Sequence, residues 1–170
     1  MAYQPALWHD YFLMVGGGAA ALTGLVFVAM TLHLEEITTN PVHRHRARTI
    51  LTGLTAVFIR CALVLMGGQT AKAVGVELIA VLVVVEVILF SSIRQAARSA
   101  DTQVLLRAIG SFACLVVEQV GAAVLFTGNS WGLYVVGIGM MSSFVFMVTG
   151  AWLLLVGVGA QEAADSRPAA

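Results

Sequence analysis

Residues 73–93, AVGVELIAVLVVVEVILFSSI, run for 21 residues with two charges, Glu77 and Glu86, and no proline. At about 1.5 Å of rise per residue, a helix of this length matches the roughly 30 Å hydrocarbon core of a bilayer. The run is too long and too continuously apolar for a barrel strand, and lipid offers no partner for backbone N–H and C=O groups, so a membrane-spanning helix is the reading.

Outward from this stretch, residues 11–34, 50–68, 104–128 and 131–159 have the same character, and the five together hold 118 of the 170 residues. The whole chain is 59% apolar and 11% charged, with a mean hydropathy of +0.93. Its apolar surface has too little polar cover for a soluble enzyme, a nucleic-acid binder or a secreted disulfide scaffold. The expected fold class is all-α: a polytopic transmembrane helical bundle of five spans, with residues 1–170 forming a single integral membrane domain.

Connections 69–72 and 129–130 are so short that the second and third spans, and the fourth and fifth, must be antiparallel neighbours. Arg44, Arg46, Arg48, Arg94, Arg98 and Arg167 fall on one side and Lys72 alone on the other. The positive-inside rule therefore predicts the N-terminus outside and the C-terminus in the cytoplasm, with Trp8, Trp131 and Tyr134 at the outer interface. No Lys or Arg precedes the first span and no A-x-A-like site breaks it, so a cleaved leader is not expected. No pair of segments repeats a pattern of Gly, Pro and charge, which disfavours a rocking-bundle transporter.

Five charges lie inside the spans: Arg60, Glu77, Glu86, Arg107 and Glu118. Each costs about 2.5–3.5 kcal/mol at a helix centre, so such residues need partners or a wet cavity. Measured from the cytoplasmic end of each span, Arg60 falls at about 15 Å, Glu86 at about 10 Å, Glu118 at about 21 Å, Glu77 at about 24 Å and Arg107 at about 5 Å. Arg107 and Glu118 are about 20° out of helical phase and share a stripe with Gly110, Ser111, Cys114 and Gly121, which must face protein or water. Glu77 and Glu86 point about 180° apart. On the second span, Arg60 shares its face with Gly53, Ala56 and Gly67, small residues that admit another helix.

Two arrangements account for these charges. In a structural one, Arg60 pairs with Glu118 and Arg107 with Glu86, while Glu77 reaches the outer interface near Lys72. In a functional one, Glu118 or Glu86 lines a hydrated cavity and binds a cation or a proton, with Arg60 as its electrostatic partner. Ion- or proton-binding candidates are thus Glu118, Glu86 and Glu77, and the electrostatic partners are Arg60 and Arg107.

Small residues mark close approach. Gly17, Ala21, Gly24, Val28 and Thr31 share one face of the first span, and Gly139, Ser143 and Gly150 one face of the last. Such faces serve helix packing, a pore wall or contact between copies. The cluster His43-Arg44-His45-Arg46-Ala47-Arg48 reads as topogenic, with Arg44, Arg46 and Arg48 attracted to lipid headgroups. A metal site from His33, Glu35, Glu36, His43 and His45 would need an extended segment with alternate histidines aligned; the spacing matches no tight zinc pattern, and no metal is expected. Cys61 and Cys114 fall inside spans and read as buried thiols. No nucleophile or phosphate-loop motif is present, so the chain is expected neither to be an enzyme nor to carry a cofactor.

The stretch at 16–34, GGGAAALTGLVFVAMTLHL, followed by an Arg-rich connection, resembles the opening of a group of small uncharacterised bacterial inner-membrane proteins of four to five spans, some of them labelled modulators of a membrane protease. That resemblance implies a multi-pass bacterial inner-membrane location and a regulatory role, and it carries no site residues. The charges themselves point to a small homo-oligomeric channel-like protein for a cation or proton. The alternative is a non-transporting accessory subunit of a larger membrane complex. Membrane lipids, further copies of the chain and such a complex are the expected partners, and nucleic acid is not.

Overall fold

The computed structural model describes the backbone of residues 5–39, 41–98 and 102–165, with side chains described except at 5, 36, 41–42, 91–108 and 157–165. A 3-10 turn, Pro5–Trp8, leads into α1 (His9–Leu32), α2 (Leu34–Thr39), α3 (Pro41–Leu65), α4 (Ala71–Arg98), α5 (Thr102–Phe126) and α6 (Gly132–Asp165), and no strand occurs among the described residues. Five of these helices are long and apolar enough to cross a membrane: Ala6–Leu32, His43–Leu65, Ala71–Phe90, Ile109–Phe126 and Gly132–Val156. The protein is a multi-pass membrane protein. Even the Val-rich α4, whose β-branched residues favour strands in water, is helical, because a helix satisfies its own backbone without solvent.

Helix ends correct the predicted boundaries. The helix that carries the second span, α3, starts at Pro41, which occupies the first helical position, where its missing N–H costs no bond. His43 to Arg48 are therefore helical rather than extended, and alternate histidines point to different sides. At the other end of α3 the helix stops at Leu65, so Gly67 belongs to the turn, not to the Arg60 face; Gly68 there takes a left-handed φ of 79°. Thr70 then caps α4, its Oγ1 accepting from Ala73 N at 3.3 Å. After α5, Gly128 (φ 87°) donates to Leu125 O and Asn129 N to Val124 O, the paired bonds of a Schellman stop. Asn129 Oδ1 accepts from Trp131 N at 3.1 Å, and α6 starts at Gly132. These two turns make α3 and α4, and α5 and α6, the antiparallel neighbours that the short connections require.

α3, α4, α5 and α6 form a ring in which α3 packs on α4 and α6, and α5 on α4 and α6. Across this ring α3 and α5 face one another without close backbone packing. α1 lies outside it, against α3 and more lightly α6. Glycines decide where helices touch: a Cβ on Gly121 would lie 2.6 Å from Val136 N, one on Gly132 2.5 Å from Gly121 O, and one on Gly75 2.8 Å from Phe126 N. At Gly16, α1 comes against Cys61 of α3, whose Sγ donates to Met140 Sδ on α6 at 3.2 Å. Trp8, Tyr11, Trp131 and Tyr134 gather at one end of the bundle, with Trp8 and Tyr134 ring centroids 4.6 Å apart. Tyr11 Oη also donates to Gly137 O at 2.6 Å, tying α1 to α6.

Candidate functional site: a buried carboxylate between α3 and α5

Glu118 is 0% exposed and Arg60 1%, the two fully enclosed charged groups among the described residues. Arg60 Nη1 donates to Glu118 Oε2, so the carboxylate of α5 and the guanidinium of α3 close the gap across the ring. Arg60 Nε also donates to Ala56 O one turn back, at 3.0 Å. The second carboxylate oxygen, Oε1, accepts from Ser143 Oγ of α6 at 2.8 Å. Ser143 is itself buried, 5% exposed. Gly139 makes room for the acid: any Cβ there would strike Glu118 Cγ.

The two sides of this centre differ. Toward the aromatic end, Val64, Val74, Leu78, Leu125, Leu133 and Met140 are each at most 3% exposed and fill the ring. Toward the other end lies a partly open space of about 30 Å³, lined by Thr49, Thr52, Gly53 and Arg60 of α3, Val85, Ile88 and Leu89 of α4, Ser111 and Leu115 of α5, and Ser143 and Met147 of α6. A volume of that size admits one or two water molecules and no hydrated metal cation.

Compared with known proteins, the chain matches no protein-family model, no curated protein and no solved structure. Its site therefore rests on its own geometry.

The sequence pairing of Arg60 with Glu118 is found. The companion pair is not described: the Arg107 side chain lies outside the described residues, as do those of Arg94, Arg98 and Glu36, and Arg167 altogether. Glu86 is half-buried on α4 and makes no hydrogen bond or ion pair among the described residues. The placement of Glu77 beside Lys72 is corrected. Gln69 Nε2 donates to both Glu77 oxygens, at 2.9 and 2.8 Å, because the turn before α4 folds the amide over the helix, while Lys72 is exposed.

The small-residue face of α1 is also corrected as a packing face within the protomer. Gly17, Ala21, Gly24 and Thr31 are exposed, and nothing lies within 4 Å of a Cβ at Gly17 or Gly24. α1 packs instead through Phe12, Val15, Gly16, Ala19, Val26 and Met30, since the larger apolar side chains cover more of α3. On α3, Arg44 and Arg48 are exposed, one turn apart, and Arg46 is half-buried. Among the described residues no three His, Cys, Asp or Glu side chains gather as a metal site. Sequence reasoning passed over Ser143 as a ligand. Its signal was there: Gly139 and Ser143 are one turn apart on α6, a small residue beside a hydroxyl.

Proposed function

We propose that the protein is a small channel-like membrane protein for protons, in which the Glu118 carboxylate is the site that takes and releases the proton and Arg60 is its electrostatic partner. One observation carries this reading: a carboxylate is enclosed at the centre of the ring, held by a guanidinium and a hydroxyl, beside a space sized for water and not for a hydrated cation. Protonating Glu118 would dissolve the ion pair and leave Arg60 charged, so uptake and release would switch the α3–α5 contact. No bond other than to hydrogen changes, and no cofactor enters. The reading includes a homo-oligomer, with the exposed small residues Gly17, Ala21 and Gly24 of α1 as the contact between copies.

The reading also includes a bacterial inner membrane with the N-terminus outside, Arg44, Arg46 and Arg48 at the cytoplasmic headgroups, and Glu86 and Glu77 as peripheral acids. A second reading, a non-transporting accessory subunit such as a membrane-protease modulator, is favoured by the apolar filling between Glu118 and the aromatic end. Proton flux into proteoliposomes decides between them. Flux in wild type that Glu118→Gln abolishes supports the channel; a folded wild type without flux at either voltage sign selects the accessory subunit.

A further inference from the structure

The walls of the space below Arg60 are mostly apolar, and the few polar groups among them include some that make no hydrogen bond among the described residues. Arg60 spends one N–H on Ala56 O and Nη1 on Glu118, which leaves Nη2 without a partner among the described residues although the residue is 1% exposed. The hydroxyls of Thr52 and Ser111, from α3 and α5, also line it and likewise have no partner among the described residues. Polar groups left unpaired at membrane depth cost several kcal/mol each unless water or another polar molecule meets them. Thr49 differs: it also lines the space, but its Oγ1 donates to His45 O at 3.0 Å.

The space lies on a continuous polar track of α3. His45, Thr49, Thr52, Ala56 and Arg60 follow one another at intervals of four, three, four and four residues and so share one helical face. His45 stands about 6 Å of helical rise beyond Thr49, toward the Arg44 and Arg48 end. Its Nε2 is buried and has no partner among the described residues. On the far side of Glu118 the ring is filled mostly by the apolar layer from Val64 to Met140, with Gln119 Oε1 on α5 and Gln69 Oε1 in the turn after α3 also buried there and without a partner among the described residues.

We infer that this space is a water site, held by Arg60 Nη2, Thr52 and Ser111, and that it connects the Glu118 centre toward the His45 end of the bundle. The occupant is water because Arg60 is already neutralised by Glu118, and a net-neutral site of about 30 Å³ suits a small dipolar molecule that both donates and accepts. On the reading of Glu118 as a proton site, a hydronium arriving along the track gives its proton to Glu118 Oε2 and leaves as water, while Arg60 keeps all its protons. The inference deepens the proposed function and rests on it only for the proton; the water site stands on the unpaired groups.

The test is water-to-protein magnetisation transfer by solid-state NMR on the full chain in phospholipid vesicles, with ¹⁵N-arginine labelling. The Arg60 guanidinium should receive water magnetisation within a few-fold of the rate at exposed Arg44. Thr52→Val, close in shape and lacking the hydroxyl, should slow that transfer at least twofold, and Thr52→Leu, which fills the space, by more. Met140→Leu on the opposite side should leave it unchanged. A dry Arg60 in wild type overturns the inference, as does transfer unaffected by Thr52→Val or slowed by Met140→Leu. Because this readout needs no flux, a wet Arg60 in a protein that conducts no protons keeps the water site while the channel reading falls. Flux past a dry Arg60 does the reverse.

Discussion

Arg60 and Glu118 stand 58 residues apart in sequence and meet between α3 and α5, two helices of the ring whose backbones do not pack on each other. The contact across the ring is thus made by a guanidinium and a carboxylate, with Ser143 of α6 as the third member. Burying both ions costs several kcal/mol apiece, and only their mutual attraction and the added hydrogen bonds offset this.

Breaking the pair on one side should therefore be worse than removing it. Arg60→Met leaves Glu118 enclosed without its cation and should destabilise by about 3–5 kcal/mol. Glu118→Met alone strands Arg60 and should cost a similar amount. The double variant Arg60→Met/Glu118→Met should recover most of the loss, read as the midpoint of thermal unfolding in detergent. Additive losses would mean that the two charges are not coupled.

The α5–α6 seam should be intolerant of a single methyl group. A Cβ at Gly139 meets Glu118, and one at Gly132 meets α5 backbone that cannot swing aside. Gly132→Ala and Gly139→Ala should each destabilise by about 1–3 kcal/mol through overpacking. Gly139→Ala should in addition disturb the Glu118 to Ser143 hydrogen bond, visible as a shift of the Glu118 carboxylate infrared band that Gly132→Ala does not produce.

Span number and the Arg60–Glu118 pair were legible because bilayer thickness and the cost of lone charges act on any sequence in the same way. Residue-level outcomes that depend on which of several helix faces wins were not. The α1 stripe from Gly17 to Thr31 has the spacing of a packing face, yet Phe12, Val15 and Ala19 turn toward α3 instead, because the larger apolar area decides. Charge alone puts Glu77 near Lys72, whereas the geometry of the Gly68 turn delivers Gln69. Charges end a hydropathy window, so by sequence the basic cluster reads as a connection, but a helix can continue through headgroups, and α3 begins at Pro41.

The Gln69 clamp on Glu77 lies at the end of the bundle and should matter little to the core. Gln69→Leu removes a hydrogen bond to a charged group, worth about 1.5–3 kcal/mol at most and less where water replaces it. Thermal stability should fall by no more than that. Proton flux, if carried by Glu118, should be unchanged in Glu77→Gln; a loss of flux there would move the proton site to the aromatic end.

The outward face of α1 separates folding from assembly. Gly17 and Gly24 have open space around them, so the Cβ of Gly24→Leu has no atom of the described residues within 4 Å, and the substitution should change stability by no more than about 0.5 kcal/mol. If copies associate through this face, the same side chain holds two backbones apart, and small residues are what allow their approach. Mass measured by light scattering with detergent subtracted should then drop toward that of the 17.9 kDa chain in Gly24→Leu, with the unfolding midpoint unmoved. An assembly that survives Gly24→Leu would place the contact on another face, and a midpoint that falls with it would mean that α1 is seated differently against α3.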